Sequence, residues 1–169
     1  MNGQRSITRR KAIAVIAAAP ITRTLRAINT REPAPRFRAR SMDGHNYDNE
    51  SLKGKIVLIQ FWTTWCPYCK TDEPAFEAVI HDFSTKGLLA LAVNVGESKK
   101  KVKKFLEDSP RPCEVVLTED TNLAAYFAAN SYPIYVLLDK DGRIAGRQNG
   151  AAGERGLRHL LKDVGLEEE

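Results

Sequence analysis

A chain of 169 residues with 43% hydrophobic and 28% charged residues suits one ordinary folded domain plus an extension, and is too short for two and too apolar for disorder. Its formal charge of +5 is unevenly placed: Arg5, Arg9, Arg10, Lys11, Arg23 and Arg26 fall in residues 1–27, which hold no acidic residue, leaving 20 basic against 21 acidic residues elsewhere. A body that close to neutral excludes a polyanion-binding protein as the first reading, and no nucleic-acid partner is expected.

The leader has a charged start (Arg5 to Lys11), an apolar run (Ala12 to Ile21) and a more polar stretch (Thr22 to Ala27). The apolar run is about half of the roughly 20 residues that cross a bilayer, so the layout is that of an export signal, not a membrane span. Arg9-Arg10, between Thr8 and Lys11, resembles a twin-arginine signal, and the late charge Arg23 suits that route. The alternative is an N-terminal tail on a cytosolic protein. The expected organisation is an export signal over 1–27, a polar, proline-containing linker over 28–35 and one domain over 36–169. The expected location is the periplasm or the outer face of the cytoplasmic membrane.

In chain order, Arg36 to Met42, the turn Asp43-Gly44 and His45 to Tyr47 predict a hairpin, whose many arginines suggest an exposed flap. After the turn Lys53-Gly54-Lys55, the run Ile56-Val57-Leu58-Ile59-Gln60-Phe61-Trp62 predicts a strand covered on both faces. A helix follows to about Lys86, with Ala75, Phe76, Val79, Ile80 and Phe83 at helical spacing and Pro74 expected to kink it. Gly87 ends it, and Leu88 to Val95 is a second buried strand. Ser98 to Asp108 is a helix with five lysines outward. Val115 to Thr118 is a short strand and Asp120 to Ala129 a short helix. Tyr135 to Asp139, the turn Asp141-Gly142 and Arg143 to Gln148 form a second hairpin, closed by an amphipathic helix from Gly153 to Val164. This order predicts an α/β three-layer sandwich with a central mixed sheet and an N-terminal hairpin extension.

Two of the three cysteines, Cys66 and Cys69, lie directly after the first buried strand. A bridge between residues three apart closes almost no loop, so its value is chemical, not structural. At a strand-to-helix junction, backbone N–H groups and the helix dipole favour a thiolate at Cys66. Cys69, one turn on, is placed to attack a mixed disulfide formed there. Pro67 supplies a pre-set first helical turn, and Trp62 and Trp65 are expected to flank the pair and shield it from water. Cys66 is expected to be the more acidic and exposed thiol. Half of a zinc site would need a partner pair, and Cys113, His45, His81 and His159 supply none at ligand spacing, so neither metal nor cofactor is expected. Cys113 suits a small residue at a strand edge, with a resolving or dimer-forming role as the alternative.

The segment Phe61-Trp62-Thr63-Thr64-Trp65-Cys66-Pro67-Tyr68-Cys69-Lys70, with Pro74 five residues after the second cysteine, resembles the thioredoxin superfamily. The hairpin before the first strand, the Lys53-Gly54-Lys55 turn and the leader resemble its exported branch, the TlpA/ResA-like family. The resemblance covers about Pro33 to Val164. It implies a thiol–disulfide oxidoreductase with Cys66 and Cys69 as catalytic residues and Trp65, Pro67, Tyr68, Tyr132 and Pro133 at the substrate surface. It further implies a cis peptide before Pro133, lying against the sulfurs, with the Tyr132 backbone free to pair with an incoming peptide. Client proteins with disulfides or thiols, a membrane-bound electron donor and a monomeric state follow from the same likeness, with cytochrome c or copper-centre assembly as the family's setting.

The chain departs from the family pattern in three places. Thioredoxin keeps a buried acid where this chain has Gln60. The exported branch often has a glutamate three residues after the second cysteine, where this chain has Asp72, followed by Glu73. Asp72 is expected to help remove the Cys69 proton as a general base, or else to be a solvated first-turn acid. The Pro67-Tyr68 dipeptide is that of glutaredoxins, less reducing than thioredoxin by roughly 40–70 mV, which leaves the direction of electron flow open. A thiol peroxidase would show Pro-x-x-x-Thr-x-x-Cys, and a copper chaperone wider cysteine spacing with a nearby histidine. Neither pattern is present.

Overall fold

The computed structural model describes residues 31–167; the expected export signal and the start of the expected linker lie outside them. Seven strands form one mixed sheet: β1 (Arg38–Ser41), β2 (Asn46–Asp48), β3 (Ile56–Trp62), β4 (Leu88–Asn94), β5 (Glu114–Thr121), β6 (Ile134–Leu138) and β7 (Ile144–Asn149). Their order is β2-β1-β5-β4-β3-β6-β7. The central β3, β4 and β5 are parallel, and antiparallel pairs extend the sheet on both sides. Helices α1 (Pro67–Phe83), α2 (Lys99–Asp108), α3 (Leu123–Tyr126) and α4 (Gly153–Lys162) cover its two faces, which is the expected α/β sandwich.

All seven residues of β3 are buried, which is why the run is apolar without alternation. Ile56 and Leu58 face α1 and α4 through Phe76, Val79, Phe83, Leu157 and Leu161. Val57, Ile59 and Phe61 face the opposite layer, against Leu123 and Phe127. Near the C-terminal end of β3, Trp62 packs with Val102 and Phe105 of α2. Each large apolar side chain buried here contributes roughly 1.5–3 kcal/mol relative to exposure, so the strand that delivers the cysteines is firmly anchored. A 3₁₀ turn, Ser84–Lys86, follows α1, and Gly87 ends it with φ of 94°, a conformation glycine adopts without strain. Pro74 lies inside α1, which runs on past it to Phe83.

Three expectations need correction. The N-terminal hairpin is not an exposed flap: β1 pairs with β5 as well as β2, and Phe37, Ala39 and Ser41 are buried. Its arginines are the outward half of a period-two pattern whose inner residues within β1, Ala39 and Ser41, are small and gave a weak signal. Pairing of Ala39 with Thr121 extends β5 to Thr121 and reduces the expected helix over Asp120 to Ala129 to the four residues of α3. Residues 33–35 also do not hang free, because Pro33 bridges to Arg143 and Ala34 is buried, its N–H donating to the Gly142 carbonyl at 2.8 Å.

Candidate active site

The chain leaves β3 at Trp62, turns through Thr63-Thr64-Trp65 and enters α1 at Pro67, so Cys66 is the residue that caps the helix. Its φ of −75° and ψ of 112° are extended, and its Sγ accepts a hydrogen bond from the Cys69 N–H at 3.0 Å. A sulfur therefore takes the place of the usual Ser or Asp oxygen at a helix start. An amide donor and the positive end of the helix dipole both stabilise negative charge there. Pro67, the first residue of α1, supplies no donor that would need a partner. Cys66 and Cys69 form a disulfide, with Cα atoms 5.3 Å apart. In this oxidised state the two cysteines are equally buried, so the expected difference in exposure is not present. What separates them is position: Cys66 holds the cap and Cys69 lies in the first turn.

The surface around the pair is aromatic. Trp62 is buried behind the cysteines, but Trp65 is 62% exposed and Tyr68 66% exposed, so only the first of the two tryptophans shields the pair from behind. Trp65 meets the Tyr132 ring edge-on at 6.0 Å, and Tyr132 packs against the cluster containing Cys66 and Cys69. The Tyr132–Pro133 peptide bond is cis, and Pro133 is buried. The Pro133 carbonyl accepts from Gly150 N–H at 2.8 Å, while the Tyr132 backbone makes no hydrogen bond among the described residues.

Beneath the pair runs a polar chain that composition did not announce. Arg111, with its side chain 2% exposed, lies over the Trp62 ring at 4.2 Å and near the Phe76 ring at 5.6 Å. Its guanidinium pairs with the Glu73 carboxylate and donates to Gln60 Oε1 at 2.6 Å. Gln60 Nε2 donates to the Tyr135 hydroxyl at 3.1 Å, and that hydroxyl donates to Asp72 Oδ2 at 2.7 Å. Asp72 then accepts from Ala152 N–H at 2.9 Å and Gly153 N–H at 2.7 Å, the start of α4. Gln60, where thioredoxin has an acid, is thus a neutral relay with donor and acceptor both used. Asp72 is not solvated: it is buried, and both oxygens are engaged in joining α1 to α4.

Two acids share a cleft with Cys69, Glu77 and the neighbour of Asp72, Glu73. Glu73 lines a cleft of about 540 Å³ together with Cys69, Trp62, Thr63, Phe105 and Arg111. Burial pushes the Glu73 carboxyl above its usual range, against the opposing pull of Arg111. Cys113 packs nearby as a thiol; burial pushes it up to about 12, so it stays protonated and is a poor nucleophile at neutral pH.

The loop before Cys66 is held by Glu97, which no sequence pattern singled out. Its nearly buried carboxylate accepts from Thr64 N–H at 2.6 Å, Thr64 Oγ1 at 2.7 Å and Asn94 Nδ2 at 2.8 Å, and pairs with Lys101 Nζ at 2.7 Å. Burial works against its charge, but the bonds from Lys101, Asn94 and Thr64 outweigh burial and hold it at about 2. Arg111 and Glu97 both sit in loops, where neither periodicity nor capping marks a residue, and the one available hint was an acid just ahead of the Ser98 cap.

Comparison with known proteins agrees with this geometry. The model of the AhpC/TSA family matches residues 30–147. The chain is 28% identical over 172 residues to the thiol-disulfide oxidoreductase ResA of Geobacillus kaustophilus, covering 97% of this chain and 99% of that protein. It is 30% identical over 128 residues to ResA of Bacillus subtilis, covering 76% of this chain and 72% of that protein. Among solved structures, a protein described as the thiol:disulfide interchange protein DsbE of Chlorobium tepidum superposes with a TM-score of 0.72 at 21% identity. That match covers 82% of this chain and 100% of the other and speaks for the fold. With its cysteine pair capping the first helix of such a fold, the chain belongs to the thioredoxin-fold AhpC/TSA family and is a ResA-like thiol–disulfide oxidoreductase.

Proposed function

We propose that this oxidoreductase acts as a reductant of client-protein disulfides in the cell envelope, in a role of the cytochrome c or copper-centre assembly type, drawing electrons from a membrane-bound donor and working as a monomer. The observation that carries the reading is Cys66 at the cap of α1, its sulfur aimed at by the Cys69 amide and ringed by exposed Trp65 and Tyr68. The leader with Arg9-Arg10 supports export.

In the reduced pair, the Cys66 thiolate attacks one sulfur of a client disulfide. The client S–S bond breaks, a Cys66–client mixed disulfide forms and one client thiolate leaves. Cys69 then gives up its proton and attacks Cys66 Sγ, breaking the mixed disulfide, re-forming Cys66–Cys69 and releasing the second client thiolate. Two electrons pass to the client, and each released thiolate takes up a proton. Glu73, in the cleft with Cys69 and with its carboxyl raised by burial, is the acceptor we assign to the Cys69 proton. Asp72 contributes by fixing α1 against α4 instead of moving a proton. The free backbone of Tyr132 suits pairing with an extended client segment, in the manner of strand addition. Redox equilibration of the Cys66–Cys69 pair tests the direction: a potential at or below about −200 mV supports a reductant, and one near −120 mV, roughly that of a strong oxidant, contradicts it.

A further inference from the structure

Helix α2 is charged the wrong way round for its own stability. Its first turn holds Lys99, Lys100 and Lys101 and its last turn holds Glu107 and Asp108, so cations sit at the positive end of the dipole and anions at the negative end. Lys99 and Lys103, and Lys100 and Lys104, are like-charge pairs at a spacing of four, which also disfavours the helix. Lys101 is paired with Glu97. The other four are exposed, make no ion pair among the described residues and fall on one continuous stripe, since Val102, Phe105 and Leu106 take the inward face. Natural selection of charge for helix stability alone gives the opposite pattern.

The helix that carries the stripe packs beside the redox centre, its inward face sharing one cluster with Trp62, Cys66 and Cys69. Through Glu97, the ammonium of Lys101 is one carboxylate away from the Thr64 amide, two residues before Cys66. On the cysteine helix, exposed Lys70 reaches over the α2 ring of Phe105 at 5.9 Å, adding a fifth cation, next to Cys69 in the chain, that makes no ion pair among the described residues. Clefts and surfaces lined by one sign of charge raise the encounter rate of oppositely charged substrates. From this arrangement we infer that Lys99, Lys100, Lys103 and Lys104 form a docking ridge for an acidic protein surface that lies beside the client's disulfide. The inference rests on the reading above that clients exchange disulfides at Cys66. A lipid surface fits less well, because an interfacial helix needs a free apolar face and that of α2 is packed on Trp62, Ala92 and Leu117.

The test uses the reduced protein and three peptides that share one intramolecular disulfide loop and differ only in flanks of four glutamates, four glutamines or four lysines. At an ionic strength of about 10 mM the glutamate-flanked peptide should be reduced about tenfold faster than the lysine-flanked one, and the gap should close at about 0.5 M, where the Debye length is a few ångström. The variant Lys99→Gln, Lys100→Gln, Lys103→Gln, Lys104→Gln should lose most of that ratio, keep the wild-type rate on the glutamine-flanked peptide and melt no lower than wild type. The milder pair Lys99→Gln, Lys103→Gln should lose part of it. Neutralising Lys53, Lys55, Lys140 and Lys162, all exposed and near the far end of β3 or the end of α4, should leave the ratio intact. A ratio that survives in the ridge variant, or that falls equally in the control, overturns the proposal. So does ridge-dependent binding to phosphatidylserine vesicles without any peptide preference, which would make the partner a membrane. Failure of all three peptides to react would instead overturn the client-exchange reading itself.

Discussion

Two helices of this molecule begin on an acceptor supplied by α1 or its cap, and the two acceptors differ in kind. At the start of α1 the acceptor is Cys66 Sγ, held by the Cys69 amide. At the start of α4 the acceptor is the carboxylate of Asp72, which takes two backbone amides and the Tyr135 hydroxyl. The donors and the dipole are alike. The difference lies in the role of the acceptor: the Asp72 carboxyl is buried with both oxygens bound, so its contribution is to stability. A sulfur is ionised only when reduced and deprotonated, so the same field lowers its pKa and raises its reactivity. One helix start ties the fold together, and the other performs chemistry.

Removing Asp72 is the strongest way to break that comparison. Asp72→Ala leaves the buried Tyr135 hydroxyl and two α4 amides without an acceptor, and should cost about 2–4 kcal/mol of unfolding free energy. Urea unfolding measures it. Thiol exchange per folded molecule should persist, because the Cys66 cap is built by other atoms. A variant as stable as wild type would mean that α4 does not depend on this carboxylate.

Glu97 lies between the two cases, since it is a stabilising carboxylate that holds the chemical loop. Its folded pKa of about 2 is below its ordinary value of 4.5, so its contribution is present in full above about pH 4.5 and is lost as pH falls toward 2. The size is on the order of 3 kcal/mol. Glu97→Gln should therefore show a shallower loss of stability between pH 5 and about 2 than wild type in acid unfolding curves. Parallel curves for the two proteins would remove Glu97 from the account.

Asp72, Glu73 and Glu97 also mark how far the sequence could be read. β3, α1, the cysteine pair and the second hairpin follow from periodicity, turn residues and spacing, because those elements bury what their own local pattern says they bury. Cys66 at a helix start is legible for the same reason. Asp72 and Glu73, expected as first-turn acids, are adjacent residues of the second turn of α1, and only the packing of α4 on α1 decides that the first points at the Ala152 amide and the second at Arg111. Arg111 itself comes from a loop and is buried by two aromatic rings from β3 and α1, a meeting that no local rule contains. β1 was legible as a strand but not as a sheet member, because its pairing partner lies some 75 residues further on.

The smallest effect on stability is expected at the rim. Trp65 is 62% exposed and touches the Tyr132 ring, so Trp65→Ala should change unfolding free energy by less than about 0.5–1 kcal/mol. Its effect should fall on exchange with disulfide-containing proteins, several-fold in kcat/KM, while reduction of a small neutral disulfide changes little. Equal losses on both substrates would move Trp65 from client contact to support of the cysteine loop.

The central claim, that the α1 start makes Cys66 the nucleophile, is tested most directly by timed alkylation of the reduced protein at mildly acidic pH, with the labelled cysteine identified by mass spectrometry. The account predicts that Cys66 is labelled first, with Cys69 and Cys113 lagging by roughly tenfold or more, as a thiolate-favouring helix start requires. Labelling of Cys69 ahead of Cys66 would contradict it.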